Sequence, residues 1–340
     1  MMTTKSRAKK KRLRLERPIK QYALNQCGLY GLKGINQLIS VLRWTEDRAK
    51  LELLPIQRGS YSTWDEGGRD IQAASPRLKF VQARIAVLLR RVIPPRYRYS
   101  GIRGKSCTEN AQQHLAHQPS IKIDLKKFYP STTFNHVRRF FGGQMKCSGD
   151  VAYLLANLCC YQKAHLPTGS VHSEVLAFYC HKREFDQLFA RALLQNGVMT
   201  TYIDDMMYTS PNASRSDLEW ARRLFRRAGA TVHPAKSRVM RHDSEKTITG
   251  VIIKNGQMFA PNGQHLAVRS AYQSLAALSG SPEEPRQVRK LLGHLDHIAH
   301  IDSRYIARAR GTRAQLKALV GTELTTKMMR FKGSEILNSV

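Results

Sequence analysis

Residues 198–211, VMTTYIDDMMYTSP, hold two β-prone runs around a central pair of acids, Asp204 and Asp205. The stretch reads as strand, two-residue turn, strand, so the chain must build an antiparallel hairpin with carboxylates at its tip. A second run, SIKIDLKKFYPS (120–131), alternates Ile121, Ile123 and Leu125 with Lys122 and Asp124. That period of two makes another strand, with one face for a core and Asp124 on the other. Adjacent acids at a turn are ordinarily just a turn, because Asp tolerates left-handed geometry and bonds its own backbone. Three carboxylates from two neighbouring strands can equally hold two divalent ions about 3.5–4 Å apart, the clamp of phosphoryl transfer. On these residues alone both readings stand.

Charge bears on the choice. The 340 residues carry 56 Lys and Arg against 25 Asp and Glu, a net +31, and nine of the bases lie in the first 20 positions beside one acid, Glu16. The excess is therefore distributed along the whole chain as well as concentrated in an arm. Lys and Arg in such excess give salt-sensitive affinity for nucleic acid; a merely solvated surface would mix both signs. Clustered acids in so basic a chain need cations to compensate them. Six cysteines without a C-x-x-C spacing read as reduced thiols of a cytoplasmic protein and argue against zinc. No run of about 18 apolar residues suggests a membrane span, and no apolar leader is evident.

The remaining pattern is mixed. Residues 1–17 lack apolar periodicity and read as a disordered basic arm. The spacing predicts a helix over 28–55, a hairpin around Gly67-Gly68, and an amphipathic helix from Pro76 with Leu78, Val81, Ile85, Leu88 and Leu89 inward. A basic Gly-containing loop (94–106) leads to a short helical stretch, and helices over 134–163 are interrupted at Gly142-Gly143. After the LPTGS loop comes a long helix with Val175, Phe178, Tyr179, Phe185, Phe189 and Leu193 inward, ending at Asn196-Gly197. A helix over 214–229, short strands with an Asn255-Gly256 turn, and an all-helical region over 265–325 complete the chain. The latter carries a Val288, Leu291, Leu292, Leu295, Ile298 stripe. This is an α+β order, an antiparallel sheet backed by helices with a helical domain at the end.

Four stretches in order resemble reverse transcriptases: IKIDLKKFYPS resembles motif A, LPTGS motif B, YIDD the Y-x-D-D motif C and HPAKSRV motif D. The likeness runs from about residue 60 to about 310. GKSCTENAQQH contains an N-A-x-x-H element (Asn110, Ala111, His114), and TITG at 247–250 is similar to the V-T-G element of retron-type bacterial enzymes. The chain thus resembles bacterial retron-type or defence-associated reverse transcriptases. The resemblance implies a right-hand polymerase with fingers over 18–118, an antiparallel-sheet palm over 119–262 carrying the acidic triad, an all-helical thumb over 263–330, and a flexible tail over 331–340.

By the same resemblance Asp124, Asp204 and Asp205 are the catalytic acids. With the Leu125 backbone carbonyl they would bind two Mg²⁺ ions, or Mn²⁺ as a substitute. Arg69 would grip the incoming triphosphate, and Thr168 and Gly169 would border the nucleotide. Tyr129 is either a steric gate against the ribose 2′-hydroxyl or a packing residue. Lys236 either protonates the leaving pyrophosphate or contacts phosphate. Arg103, Lys105, Asn110 and His114 are candidates for RNA contact, the last two equally for a structural role, and Arg286, Arg289 and Lys290 for contact with a duplex backbone. His294, His297 and His300 beside Asp296 read as packing or phosphate contacts, because His300 rotates away from His294 on a helix. Three departures stand out: the lysine usual just upstream of Arg69 is missing, since YSTWDEGG (61–68) has none, Thr168 stands where many relatives have Gln, and Glu174 where they have a second Pro.

The implied partners are a structured noncoding RNA as template and primer, its DNA product and RNA–DNA duplex, dNTPs, and a separate effector protein. No membrane is involved, and homo-oligomerisation stays open. Other readings are a polymerase of the same fold making template-independent or repetitive DNA, a noncatalytic RNA-binding scaffold, and an RNA-copying enzyme that makes RNA.

Overall fold

The computed structural model describes residues 20–278, 280, 281 and 283–320. The expected basic arm (1–17), the last ten residues assigned to the thumb (321–330) and the tail (331–340) lie outside the described residues.

The N-terminal part differs from expectation at its first helix. Instead of one helix over 28–55 there are two, α1 (Ile35–Leu42) and α2 (Arg48–Leu53). Arg43 adopts the left-handed conformation (φ 57°) and its N–H reaches back to the Ile39 and Ser40 carbonyls, which closes α1. Asp47 then opens α2, its carboxylate accepting from the Lys50 N–H at 2.8 Å. The predicted hairpin forms as β1 (Tyr61–Asp65) and β2 (Asp70–Ala74), with Gly67 and Gly68 both at positive φ in the turn. Helix α3 (Pro76–Arg90) starts at Pro76 and buries the predicted stripe.

Helix α4 (Cys107–Gln112) precedes β3 (Ser120–Asp124). Then follow α5 (Phe128–Ser131), α6 (Phe134–Arg139), a π-helical turn over Phe140–Gln144 that contains Gly142-Gly143, and α7 (Gly149–Cys159). The long helix expected after LPTGS is broken into α8 (Ser173–Cys180) and α9 (Lys182–Leu194). His181 sits at the break with its ring buried, 3.2 Å from the Thr132 hydroxyl and packed on Phe128, so tertiary contacts fix the interruption. Leu193, expected inward, is 45 % exposed. Asn196 ends α9 in the left-handed region, as its Asn-Gly signal implies.

The central sheet joins β3 to β4 (Val198–Tyr202), β5 (Asp205–Thr209) and β6 (Arg238–Met240), in the order β4-β5-β3-β6, antiparallel throughout. Its two faces have different jobs. Ile121, Ile123, Met199, Met206 and Tyr208 face the larger core, shared with α1–α3 and α6–α9. Met207 and Met240 face the other way, into a second core. That second core holds the sheet β7 (Lys246–Ile248), β8 (Val251–Lys254), β9 (Gln257–Phe259) and the helices α11 (Asn262–Ala277), α12 (Glu284–Ala299) and α13 (Ile306–Val320). Helix α10 (Arg215–Arg227) packs on α9. Slipping β3 by one residue would turn Ile121 and Ile123 onto the acid face and Asp124 into the core, so burial specifies the register. Among the described residues no helix is long and apolar enough to cross a membrane.

Three imidazoles are locked inside. His114 lies between the Thr200 and Thr209 hydroxyls (2.8 and 2.9 Å), His172 donates to the Cys159 carbonyl at 2.8 Å, and His181 packs as above. Burial pushes their pKa values down, to about 3 for His114 and His181 and about 4 for His172. In the unfolded chain they protonate below about pH 6.5, whereas the folded protein keeps them neutral. Their contribution is therefore complete above about pH 6.5 and is lost as pH falls toward the folded values, at about 1.4 kcal/mol per pH unit for each. The urea midpoint should fall steeply between about pH 6.5 and 4. His114→Gln, which retains hydrogen bonding without a titrating ring, should flatten part of that fall.

Candidate active site

The register of the central sheet brings the acids together. Asp124 is the last residue of β3 and pairs across the ladder with Asp205, the first of β5. Asp204 occupies the two-residue turn with Ile203, whose φ of 60° makes the tight reversal. Backbone contacts clamp this end of the sheet: the Leu125 N–H donates to the Asp204 carbonyl (3.0 Å), the His233 N–H to the Asp124 carbonyl (2.7 Å), and the Ser237 hydroxyl accepts from the Asp124 N–H (3.0 Å). The segment 231–239, which contains the expected motif D (233–239), is thereby fixed against β3.

Crowded, partly buried carboxylates resist ionisation, and two lysines answer them. Burial raises the Asp204 carboxyl above the ordinary range and Asp124 raises it further, while Lys236 and Arg69 oppose the rise. Burial also raises Asp205, against the pull of Lys122. Lys122 Nζ lies 2.9 Å from Asp205 Oδ2, and Lys236 Nζ 3.8 Å from Asp124 Oδ2. Asp205 Oδ1 is buried with no hydrogen-bond partner. Among the described residues no three His, Cys, Asp or Glu side chains form a ready-made metal cage; two of the three acids have a lysine within 4 Å. The donor set is nevertheless all hard oxygen, and the orphaned Asp205 oxygen is a ligand atom in waiting, which suits Mg²⁺ or Mn²⁺ and not zinc.

The N-terminal hairpin leans onto the LPTGS loop through Gln72, a residue the sequence reading did not single out. Its N–H donates to the Thr168 carbonyl (2.7 Å) and its side-chain oxygen accepts from the Thr168 N–H (2.8 Å). The signal available in sequence was a Gln inside a strand, and it is 6 % exposed. Gly169 is at φ +102°, and a Cβ there would stand 2.8 Å from Ile71 Cγ2, so only glycine fits. This contact carries the hairpin turn, with exposed Arg69, to the side of the acid cluster where it acts on Asp204. Tyr129 is half-buried beside Phe128, and its phenol is pushed up by burial and by Glu174 and Asp204.

Beneath the site lies a second charged group that the sequence reading missed. Arg98 is buried, donating to Glu174 Oε1 (3.0 Å) and lying 4.4 Å from the Phe178 ring centre, while the Ser100 hydroxyl donates to the same carboxylate oxygen at 2.9 Å. Residues 97–99 run beside β4, held by Thr201 N–H to Tyr97 O and Tyr99 N–H to Thr201 O. Glu174, where the resemblance expects proline, thus has a partner 76 positions away.

No protein-family model matches the chain. Curated relatives do: the retron Ec86 reverse transcriptase of Escherichia coli, 23 % identical over 203 residues (59 % of this chain, 61 % of the relative), and the retron Mx162 reverse transcriptase of Myxococcus xanthus, 24 % identical over 331 residues (85 % and 66 %). A third, the retron Mx65 reverse transcriptase of M. xanthus, is 27 % identical over 210 residues (55 % and 48 %). The chain is a homologue of retron reverse transcriptases. It spans about half to two thirds of the length of these relatives. Similar solved structures are a foamy viral protease–reverse transcriptase with double-stranded DNA (TM-score 0.47, 14 % identity, 89 % of this chain and 47 % of that one) and a Candida albicans telomerase with a telomeric RNA fragment (0.38, 8 %, 63 % and 49 %).

Several of the RNA-contact expectations meet internal partners instead. Asn110 is 2 % exposed and donates to the Thr249 hydroxyl (3.3 Å), which in turn donates to the Cys107 carbonyl (2.9 Å). The N-A-x-x-H and TITG elements are therefore one structural joint. With His114 fully buried between two threonines, neither Asn110 nor His114 has surface to offer RNA, and both expectations are corrected. Lys105 is half-buried, its ammonium donating to the Arg96 and Arg98 carbonyls (both 2.8 Å) over the Tyr99 ring, which makes it a strap for the 94–106 loop. Arg103, Arg286 and Lys290 are exposed and Arg289 is partly buried. His297 contacts Gln264, and Asp296 pairs with Arg313 to join α12 to α13.

Glu174→Ala strands the buried Arg98 guanidinium and should destabilise the fold by about 3 kcal/mol or more, read from the urea midpoint. Gly169→Ala should cost about 1–3 kcal/mol and loosen the brace, seen as faster amide exchange at Gln72 and Thr168.

Proposed function

We propose that the chain is an RNA-directed DNA polymerase that adds dNTPs to a primer 3′-hydroxyl, with a structured noncoding RNA of a retron or anti-phage defence system as its template. The observation that carries the reading is the cross-strand pairing of Asp124 with Asp205 with Asp204 in the adjoining turn, in a homologue of retron reverse transcriptases. The net +31 charge supports a nucleic-acid partner.

In this reading Asp124, Asp204, Asp205 and the Leu125 carbonyl would hold Mg²⁺ or Mn²⁺. When bound, the ions supply an activated primer hydroxyl and charge neutralisation at the transferred phosphate. The chain's own residues then position and exclude. Arg69, exposed at the hairpin turn, grips the triphosphate by bidentate contact. The Thr168-Gly169 backbone, held by Gln72, borders the nucleotide, and Tyr129 fills the space a 2′-hydroxyl would need. Lys236, already drawn to Asp124, either contacts the leaving pyrophosphate or gives it a proton. No nucleophilic side chain is required, because the transition state is stabilised by charge and alignment. Arg286, Arg289 and Lys290 on α12 would follow the duplex backbone, and Arg103 the RNA. A defensive output would come from a separate effector or from the DNA product.

Asp124→Asn and Asp204→Asn should each lower primer extension on RNA by about 100-fold or more with an unchanged melting curve. Extension that persists in both variants would sink the site assignment. Tyr129→Ala should raise ribonucleotide incorporation relative to dNTPs. Sequencing the product separates templated copying from template-independent or repetitive synthesis.

A further inference from the structure

Lys122 has no role in the chemistry described above, yet it sits on the acid face. It is two residues before Asp124 on β3, so both side chains share that face. Its ammonium is 2.9 Å from Asp205 Oδ2, leaving Oδ1, buried and without a partner, as the free donor atom of that carboxylate. Across the ladders Lys122 stands opposite buried Met207 on one side and opposite Arg238 on the other. A Lys–Arg pair facing each other on neighbouring strands is unfavourable unless an anion intervenes. Asp205 therefore neutralises a cation of the sheet as well as belonging to the acid cluster. The side chains of Lys122 and Asp205 are 21 % and 27 % exposed, too little for solvent to screen the pair fully.

We propose that Lys122 is a positioning residue and resident cation of this site: it holds Asp205 by one oxygen, leaves the other for a metal ion, and keeps the nucleotide-free site weak for divalent cations. This rests on the polymerase reading above. The physical argument is charge. A fixed ammonium on a carboxylate repels a dication seeking the same carboxylate twice as strongly as it repels a monovalent ion. A nucleotide triphosphate brings negative charge that offsets that repulsion. Occupancy of the site then follows nucleotide arrival instead of free-ion concentration.

The test titrates Mn²⁺ alone into nucleotide-free full-length protein and reads free Mn²⁺ by electron paramagnetic resonance. Lys122→Met keeps the stem and removes the charge; Lys122→Gln serves as a second neutral variant should the first fail to fold. Either should bind Mn²⁺ about tenfold more tightly than the parent, and the Mg²⁺ optimum for extension should move to lower concentration. Lys122→Arg, which keeps the charge, should remain close to the parent. A folded neutral variant that binds Mn²⁺ no more tightly than the parent overturns the proposal. Asp124→Asn separates the two levels. If it abolishes Mn²⁺ binding while the Lys122 variants bind like the parent, the role of Lys122 alone fails; if it leaves Mn²⁺ binding unchanged, the metal-site reading fails and the proposal with it.

Discussion

The antiparallel pairing of β3 with β5, in one register, is the constraint on which the rest of this structure depends. It places Asp124 opposite Asp205 and puts Ile121, Ile123, Met206 and Tyr208 together on the reverse face. The two outcomes are a single decision, because side chains alternate along a strand and a shift of one position exchanges every inward residue for an outward one. Apolar burial in the larger core thus holds three mutually repelling carboxylates in place. The acids contribute nothing favourable to this arrangement until cations meet them.

Cations meet them in two ways. Lys122 and Lys236 lie on the acid face or at its rim, and Arg69 reaches it from a hairpin more than 50 positions earlier in the sequence than Asp124. A further buried cation, Arg98, is instead matched by its own carboxylate. The Arg98–Glu174 pair is stacked on Phe178 and tied to β4 through residues 97–99. A departure from the sequence pattern of relatives, Glu174, is here one half of a buried interaction and not a defect in the loop.

Much of this was legible in the amino-acid sequence, and the reason is local periodicity. The strand ending at Asp124, the hairpin bearing Asp204 and Asp205, the Gly67-Gly68 turn and the α12 stripe each announce themselves within a dozen residues. What was missed depends on partners distant in sequence. Arg98 finds Glu174 and Gln72 finds Thr168 only once the fold exists. The same holds for the breaks at Arg43 and His181, where a left-handed residue and a buried ring override helical spacing. Asn110 lies in α4 and His114 two residues past its end, and spacing could not say whether either faces water; contacts with Thr249, Thr200 and Thr209 decide that they do not.

The brace between Gln72 and Thr168 has a mechanical consequence. Two hydrogen bonds and a glycine seated against Ile71 join the β1–β2 hairpin to the loop that leads into α8. The hairpin cannot swing outward as an independent flap: any excursion of Arg69 larger than a side-chain rotation either ruptures that brace or drags the loop along. Because α8 also carries Glu174, the load passes on to Arg98 and the strand beside it. A displacement of the hairpin is thereby coupled through the loop and α8 to the buried Arg98–Glu174 pair, so that strain on one is felt by the other.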